Sequence, residues 1–325
     1  MKASVLIASK TSCIQDVDMP MMTEDDVLVQ VKACGVCRSE LTPWSTFQCN
    51  DNPLGILGHE PSGIIADIGS GVTGLHKDQP VTVFTGRSGK YTEYTAGGFA
   101  EYVVVPRENV VPIPATMPFT YALGEPLACL VSAFNRIPIT FSDRVALIGC
   151  GFMGLCLLQL LKLRCPRELV AIDLNRDALD LALRFGADRV CTPEQLPPLD
   201  QNTQAWLDPD HGFDVVIEVT GAQPALTLAG EIVRPHGTIA IVGAHGMRQV
   251  DVGQWNIKGL TVINAHEKRR AYFMKCMRNG IDLIARGVLD MQPLISNTYS
   301  LAKVDRAYED LLAKQPGHIK GVVLF

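Results

Sequence analysis

The sequence predicts an α/β protein of two domains, one rich in β-strands and one built on a doubly wound parallel sheet. The chain has 325 residues, which is enough for two domains of ordinary size. Residues 1–117 contain short β-branched stretches separated by Gly, Pro and Asp, a pattern typical of strands and turns. From residue 143 onward, apolar strands alternate with helical segments, as in a parallel sheet covered by helices on both faces.

The alternation of apolar residues locates the individual elements. In the β-rich part we expect strands at 27–32, 62–67 and 99–105, followed by a helix at 119–135. In the second part we expect strands at 144–149, 168–173, 213–218, 237–243 and 260–264, and helices at 151–163 and 176–185. The C-terminal part predicts helices at 271–286 and 301–314 and a last strand at 319–324. We expect this part to return to the first domain, which gives the domains 1–117 with 267–325, and 118–266.

Composition and charge argue against several classes of protein. Hydrophobic residues make up 47% of the chain and charged residues 19%, so each domain can bury a core. The net charge of −5, without any block of Lys or Arg, disfavours nucleic acid or an anionic membrane as a partner. The sequence lacks an apolar run of membrane-spanning length, and polar residues at 9–12 interrupt any signal-peptide core. We therefore expect a cytoplasmic protein that acts on a small molecule.

A glycine-rich turn follows the strand at 144–149. Gly149, Gly151 and Gly154 form the pattern G-x-G-x-x-G, with Phe152 and Met153 before the last glycine and a helix after it. Such a turn lets backbone approach a pyrophosphate, and the helix N-terminus offers N–H donors to the phosphates. The pattern predicts a dinucleotide site.

The end of the next strand indicates which dinucleotide binds. Asp173 stands there, roughly 20 residues further on, where an acid accepts hydrogen bonds from the adenosine ribose and repels a 2′-phosphate. This favours NAD over NADP, although Arg176 is close enough in sequence to meet a 2′-phosphate. Thr220 and Val242 follow or end later strands and should also face the cofactor.

Three places in the sequence carry residues that bind zinc in other proteins. They are Cys37, the pair His59 and Glu60, and Glu125. Zinc accepts thiolate, imidazole and carboxylate, and a catalytic site keeps one position open. Cys37, His59 and one of the two carboxylates would fill three positions.

Cys34 and Cys37 also form a C-x-x-C pair, which has two other interpretations. A structural zinc site would need a second pair at comparable spacing, and the sequence has none. A thioredoxin-like redox pair would need a surrounding βαβ unit, which the sequence does not predict.

In combination, these motifs resemble the zinc-containing medium-chain dehydrogenases. The similar segments are 35–39, 58–60, 97–102, 125–127 and the glycine turn, in the order found in that family, and the resemblance covers essentially the whole chain. Glu-Pro-Leu at 125–127 is most similar to the polyol (sorbitol-type) and threonine dehydrogenase branches. The resemblance implies a GroES-like catalytic domain, a Rossmann cofactor domain and an active site in the cleft between them.

The resemblance also implies roles for individual residues. Cys37 and His59 match zinc ligands, whereas Cys34 matches a position that does not ligate. Glu60 and Glu125 match carboxylates that bind the metal in some members and stand beside it in others.

Ser39 matches the hydroxyl that passes on the substrate proton, so the candidate catalytic residues are Ser39, Glu60 and Glu40. The sequence departs from the family at Glu40, where aspartate is usual behind the ligands, and at Thr42, where many members have the histidine that ends the proton relay. Residues 61–100 contain no run of four cysteines, so we expect one zinc ion and no structural zinc.

These features predict a zinc-dependent oxidoreductase that transfers a hydride between NAD and a secondary alcohol of a polyol, cyclitol or sugar-derived substrate. Candidate side chains bordering the substrate are Trp44, Phe47, His245, Arg248 and His266. Three alternatives remain open: a zinc-free reductase that uses NADPH, a catalytically silent NAD-binding protein, and a dehydrogenase of amino alcohols. The resemblance further implies a homodimer or homotetramer, with the strand at 260–264 at the sheet edge.

Overall fold

The structure is a computed structural model that describes residues 1–47, 55–85, 97–196, 212–244, 246–267, 269–313, 315 and 317–325. The chain forms two compact units: Met1–Cys129 with Arg269–Phe325, and Leu130–Lys268. The limits inferred from the sequence, 117/118 and 266/267, stay a prediction. Within the described ranges, no helix is long and apolar enough to cross a membrane.

The strands, in chain order, are β1 (Lys2–Ala8), β2 (Thr11–Asp16), β3 (Asp26–Gly35), β4 (Glu60–Ile68), β5 (Pro80–Val83), β6 (Tyr102–Pro106), β7 (Val110–Pro112), β8 (Arg144–Ile148), β9 (Glu168–Ile172), β10 (Arg189–Cys191), β11 (Phe213–Glu218), β12 (Val233–Ile241), β13 (Thr261–Asn264), β14 (Ile295–Ser300) and β15 (Lys320–Leu324). The α-helices are α1 (Leu41–Thr46), α2 (Gly124–Arg136), α3 (Phe152–Leu161), α4 (Arg176–Arg184), α5 (Gln223–Ile232), α6 (Val252–Ile257), α7 (Arg270–Ala285) and α8 (Val304–Ala313).

The first unit is organised around β3. Every second residue from Val27 to Val31 is a valine, so these side chains point to one face of the sheet. Val27, Val29 and Val31 lie in the core with at most 1% of their surface exposed. β3 pairs antiparallel with β4, β6 and β15. The register places Gly35 opposite Glu60 on β4 and opposite Val322 on β15. The end of β3, the start of β4 and the C-terminal strand therefore meet at one place.

The second unit contains a parallel sheet with the strand order β10-β9-β8-β11-β12-β13. The first strand of this unit, β8, lies in the middle, and the strand order reverses between β8 and β11. This is the doubly wound order that binds dinucleotides at the reversal point. The structure thus has the predicted architecture, a strand-rich domain and a domain built on a doubly wound parallel sheet.

Several elements differ from the sequence-based assignment. The predicted helix at 119–135 begins only at Gly124, because residues 119–121 form turns after Pro118. Helices α5 and α6 were not predicted, since both are short and both contain Gly and Gln, which weaken the apolar pattern. The sequence also predicts an irregular segment between Cys191 and Gly212, because this stretch is rich in Pro, Asp and Gln, but it lies largely outside the described residues.

Candidate metal and cofactor sites

The first unit contains a group of three potential metal ligands. Cys37, His59 and Glu60 each offer one ligand atom, and these atoms all lie within 4.8 Å of one another. Cys37 follows β3, and Glu60 begins β4, so the antiparallel register brings the two segments together. The approach requires glycine at position 35, because a Cβ atom there would lie 1.9 Å from Glu60 Oε2.

His59 is held by a carboxylate behind it. Its Nδ1 lies 2.8 Å from Glu40 Oε1, and its Nε2 lies 4.0 Å from Glu125 Oε2. An ionised carboxylate only accepts hydrogen bonds, so Nδ1 carries the proton that is donated to Glu40. Nε2, on the opposite side of the ring, faces Glu125. Burial opposes a charged imidazole, but Glu40 and Cys37 together raise the pKa of His59 well above its usual value.

Glu40 is buried and fully hydrogen-bonded. Besides His59, its carboxylate accepts hydrogen bonds from the Gly58 N–H at 2.7 Å and from the Tyr308 hydroxyl at 2.8 Å. Burial disfavours its ionised form, but the charge of His59 and the three donors outweigh burial and lower the pKa of Glu40. Glu40 thus lies where the sequence prediction placed a supporting carboxylate.

Glu60 forms a buried ion pair that sequence analysis missed. Its Oε2 lies 2.5 Å from Lys320 Nζ, which also donates to the Val36 carbonyl at 2.9 Å. Burial lowers the pKa of Lys320, but Glu60 and Cys37 outweigh burial and raise it. Lys320 stands in an apolar C-terminal strand, and a lone lysine in such a strand is the signal that would have marked it.

The other oxygen of Glu60 is unsatisfied. Glu60 Oε1 is buried and has no hydrogen-bond partner among the described residues. A buried carboxylate oxygen without a donor is costly, and a bound cation would remove that cost.

Glu125 is the second carboxylate near His59. It lies in the first turn of α2, and its Oε1 accepts a hydrogen bond from Cys129 Sγ at 3.4 Å. Burial raises the pKa of Glu125, and the nearby Glu60 adds to this effect. Both carboxylates therefore remain candidates for the third metal ligand.

The other cysteine of the C-x-x-C pair occupies a different environment. Cys34 is fully buried on β3, and burial together with Glu40 raises the pKa of its thiol well above the usual value. It lies outside the group formed by Cys37, His59 and Glu60. Ser39, by contrast, is exposed, and its hydroxyl lies 3.3 Å from Cys37 Sγ.

The structure describes four of the five residues expected to border the substrate. Trp44 and Phe47 are buried in the core of the first unit, and their contact with substrate stays a prediction. The short helix α1 turns Trp44 inward, where its indole N–H donates to Asp305 at 2.9 Å. His266 is exposed on the loop after β13, and His245 lies outside the described residues.

The glycine turn of the second unit has the backbone geometry of a phosphate-binding turn. Gly149 adopts φ +107°, a conformation that residues with a side chain rarely take. A Cβ on Gly154 would lie 1.8 Å from the Gly149 carbonyl oxygen, whereas a Cβ on Gly151 would meet nothing within 4 Å. The Gly151 backbone is therefore open to a ligand. Phe152 and Met153 form the first turn of α3.

Asp173 closes the neighbouring loop. Its carboxylate accepts hydrogen bonds from the Cys150 N–H at 2.6 Å and from the Asn175 N–H at 2.8 Å. Arg176 begins α4 and is exposed. Asp173 and the glycine turn therefore lie side by side at the carboxyl ends of β8 and β9.

The predicted residues Thr220 and Val242 both contact Glu218, a buried acid that sequence analysis missed. Glu218 ends β11 and accepts hydrogen bonds from the N–H groups of Thr220 and Gly221 at 2.7 and 3.0 Å. The Val242 N–H donates to the Glu218 carbonyl at 2.8 Å. The signal that could have marked Glu218 is an acidic residue at the carboxyl end of an apolar strand, a position like that of Asp173 after β9.

Comparison with known proteins identifies the family. The model "Alcohol dehydrogenase GroES-like domain" matches residues 23–115, and the model "Zinc-binding dehydrogenase" matches residues 153–285. The chain belongs to the zinc-type medium-chain dehydrogenases. It is thus an oxidoreductase that acts on CH–OH groups.

Individual relatives agree with this assignment. The chain is 26% identical to "Probable D-xylulose reductase A" of Emericella nidulans, over 88% of this chain and 86% of that protein. It is 28% identical to galactitol 1-phosphate 5-dehydrogenase of Escherichia coli K12, over 91% and 92%. A solved structure described as a zinc-binding dehydrogenase, from Sinorhizobium meliloti 1021 and bound to NADP, superimposes with a TM-score of 0.83 at 25% identity, over 100% and 99% of the two chains.

Proposed function

We propose that this protein is a zinc-dependent dehydrogenase that transfers a hydride between NAD and a secondary alcohol of a polyol, cyclitol or sugar-derived substrate. The observation that carries the proposal is the group formed by Cys37, His59 and Glu60, whose ligand atoms all lie within 4.8 Å. The relatives named for D-xylulose and galactitol 1-phosphate support a polyol substrate.

The donor set fits zinc. A thiolate, an imidazole and a carboxylate are ligands that zinc prefers, and a three-residue set leaves one position for substrate. The hydrogen bond from His59 Nδ1 to Glu40 leaves Nε2 as the ligand atom, and the unpartnered Glu60 Oε1 is compatible with a cation. When bound, zinc supplies Lewis acidity that polarises an alcohol or carbonyl oxygen.

Ser39 is the proposed proton acceptor. Its hydroxyl lies against Cys37 Sγ and is exposed to solvent. Ser39 Oγ accepts the proton of the substrate hydroxyl while its own hydroxyl proton passes to water, which makes a histidine at position 42 unnecessary.

The glycine turn is the proposed site of the NAD pyrophosphate. The N–H groups at the start of α3 bind phosphate oxygens, and Asp173 accepts hydrogen bonds from the adenosine ribose. NAD, when bound, accepts the hydride. One similar structure was solved with NADP, so the coenzyme preference of this chain requires a kinetic comparison of the two coenzymes.

We further propose a homodimer formed through the second unit. Among the described strands, β13 pairs only with β12, and three of its four residues are exposed. A free strand edge of this kind pairs readily with a second copy. Replacing Val262, which is exposed, with Lys is expected to shift the protein to monomer in sedimentation, whereas an unchanged oligomer would argue against this edge.

Zinc analysis of the wild type and of Cys37→Ser tests the main proposal. We expect about one zinc per wild-type chain, and loss of both zinc and NAD-linked oxidation of a polyol panel in the variant. Cys34→Ala is the matched control, because Cys34 is a neighbouring cysteine that is not part of the proposed ligand set, and it should keep its zinc. A wild-type protein that binds NAD or NADPH but no added zinc would instead support the zinc-free reductase or the silent binding protein.

A further inference from the structure

Helix α8 contacts the segment that carries Cys37 and Ser39 through two side chains one turn apart. Asp305 accepts hydrogen bonds from Trp44 Nε1 at 2.9 Å and from the Ser12 hydroxyl at 2.7 Å. Tyr308 lies one turn further on, fully buried, and its hydroxyl donates to Glu40 Oε2 at 2.8 Å. The aromatic ring of Tyr308 packs against Trp44, with 5.3 Å between ring centroids.

The hydroxyl of Tyr308 anchors the second oxygen of the Glu40 carboxylate. Glu40 Oε1 is shared by the Gly58 N–H and His59 Nδ1, and Tyr308 is the donor to Glu40 Oε2. A glutamate has one more rotatable bond than the aspartate usual at this position, so its carboxylate needs an additional anchor. Tyr308 supplies that anchor from an element far away in sequence.

We propose that Tyr308 is a positioning residue for metal binding: it holds Glu40, and Glu40 in turn orients the His59 ring so that Nε2 faces the metal. This inference rests on the proposed function, because it assumes that His59 binds zinc. Partners behind a histidine ligand set its tautomer and ring orientation, and their loss typically lowers metal affinity about 10–100-fold. The Tyr308 hydroxyl therefore acts on the metal through two hydrogen bonds, without touching it.

Tyr308→Phe tests the proposal, because it removes only the hydroxyl and keeps the ring packing against Trp44. The measurement is the zinc dissociation constant of the full-length metal-free protein, obtained by competition with a chromogenic chelator. We expect zinc binding to weaken about 10-fold or more. We also expect a changed visible spectrum for the cobalt(II)-substituted variant, since that spectrum reports the geometry of the ligands.

Tyr299→Phe is the matched control. Tyr299 makes the same kind of hydrogen bond, to Asp310 on α8 at 2.9 Å, and neither residue bonds to Glu40 or His59 within the described chain. Its removal should leave the zinc dissociation constant within about twofold of wild type. Equal losses in the two variants would show a general effect on α8 and would overturn the proposal.

A double-mutant cycle with Glu40→Asp keeps the test independent of folding defects. Glu40→Asp shortens the side chain by one methylene group, which should cost at least one of its contacts with Tyr308 and His59, so Glu40→Asp should itself weaken zinc binding. Adding Tyr308→Phe to Glu40→Asp should then change the dissociation constant by less than about twofold. If the effects of the two substitutions on zinc binding were fully additive, or if Tyr308→Phe alone kept the wild-type zinc dissociation constant, the proposed role of Tyr308 would be overturned. A wild-type protein that binds no zinc would overturn the proposed function instead.

Discussion

At the scale of single residues, the most consequential feature is the buried pair of Glu60 and Lys320. Both side chains are almost completely buried, with exposed fractions of 1% and 6%. Lys320→Met is expected to lower the free energy of unfolding of the metal-free protein by about 3–5 kcal/mol, because it leaves the Glu60 charge without its cation. Saturating zinc should restore part of this loss, since a bound cation would pair with the same carboxylate. Thermal denaturation with and without zinc measures both effects.

A surface ion pair provides the control for this prediction. Lys77 lies 2.9 Å from Asp67, but both side chains are about half exposed. Lys77→Met should therefore cost no more than about 1 kcal/mol, with or without zinc. If Lys320→Met lowered the free energy of unfolding by as little as Lys77→Met, the ion pair with Lys320 would not be what stabilises the buried charge of Glu60.

Asp173 is the residue proposed to set the coenzyme preference. Replacing Asp173 with Ser removes the acceptor for the ribose hydroxyls and the repulsion of a 2′-phosphate, so the ratio of kcat/KM for NADP to that for NAD should rise at least about 10-fold. Steady-state kinetics with both coenzymes measures this ratio. Asp177→Ser is the control, because Asp177 is an exposed acid in the first turn of α4. A wild type that already prefers NADP would contradict the assignment of Asp173.

Part of the candidate metal site could be predicted from the types of residue in the sequence. Cys37, His59 and Glu60 could be proposed as ligands because few residue types bind zinc, and their local motifs narrow the choice. Tyr308 has no motif and meets Glu40 only through tertiary packing, so it could not be found in this way. Lys320 is marked by its place in an apolar strand, but that place does not identify Glu60 as its partner.

At the scale of elements, strand register and helix ends position the functional residues. Strong apolar periodicity identified β3, β8 and β9, but the pairing of Gly35 with Glu60 depends on contacts between distant strands. The inward rotation of Trp44 likewise follows from docking of α1 against α8, which a six-residue helix does not reveal in its own sequence.

A second lysine shows how a helix end is stabilised by another element. Lys258 follows α6, and its ammonium group donates to three carbonyls at the end of α5, those of Gly230, Glu231 and Val233, at 2.8, 2.8 and 2.9 Å. Burial lowers the pKa of Lys258 without removing these contacts. Lys258→Met should lower stability by about 2–3 kcal/mol, because buried carbonyls lose a charged donor.

Amide hydrogen exchange locates this effect. Exchange in the last turn of α5 should accelerate in Lys258→Met more than exchange in α7. Lys275→Met on α7 is the control, since Lys275 is exposed there. Uniform acceleration across both helices would show that Lys258 does not act on α5 in particular.

At the scale of the whole molecule, the residues proposed to bind zinc and the residues proposed to bind NAD lie in different units. Cys37, His59, Glu60 and Glu125 belong to the unit Met1–Cys129 with Arg269–Phe325, whereas the glycine turn and Asp173 belong to Leu130–Lys268. A ligand stabilises the structure that it binds by about 2.7 kcal/mol when its concentration is 100 times its dissociation constant. Zinc and NAD should therefore stabilise different sets of amides.

Hydrogen exchange of the full-length protein measures this division. Removing zinc with a chelator should accelerate exchange mainly at the end of β3, the start of β4 and in β15, because these strands carry Glu60, Lys320 and the segment before Cys37. Adding NAD should slow exchange mainly at the start of α3 and the end of β9, where its phosphates and ribose are proposed to bind. Zinc-dependent protection confined to the second unit would contradict the proposed ligand set, and NAD-dependent protection absent from α3 would contradict the proposed coenzyme site.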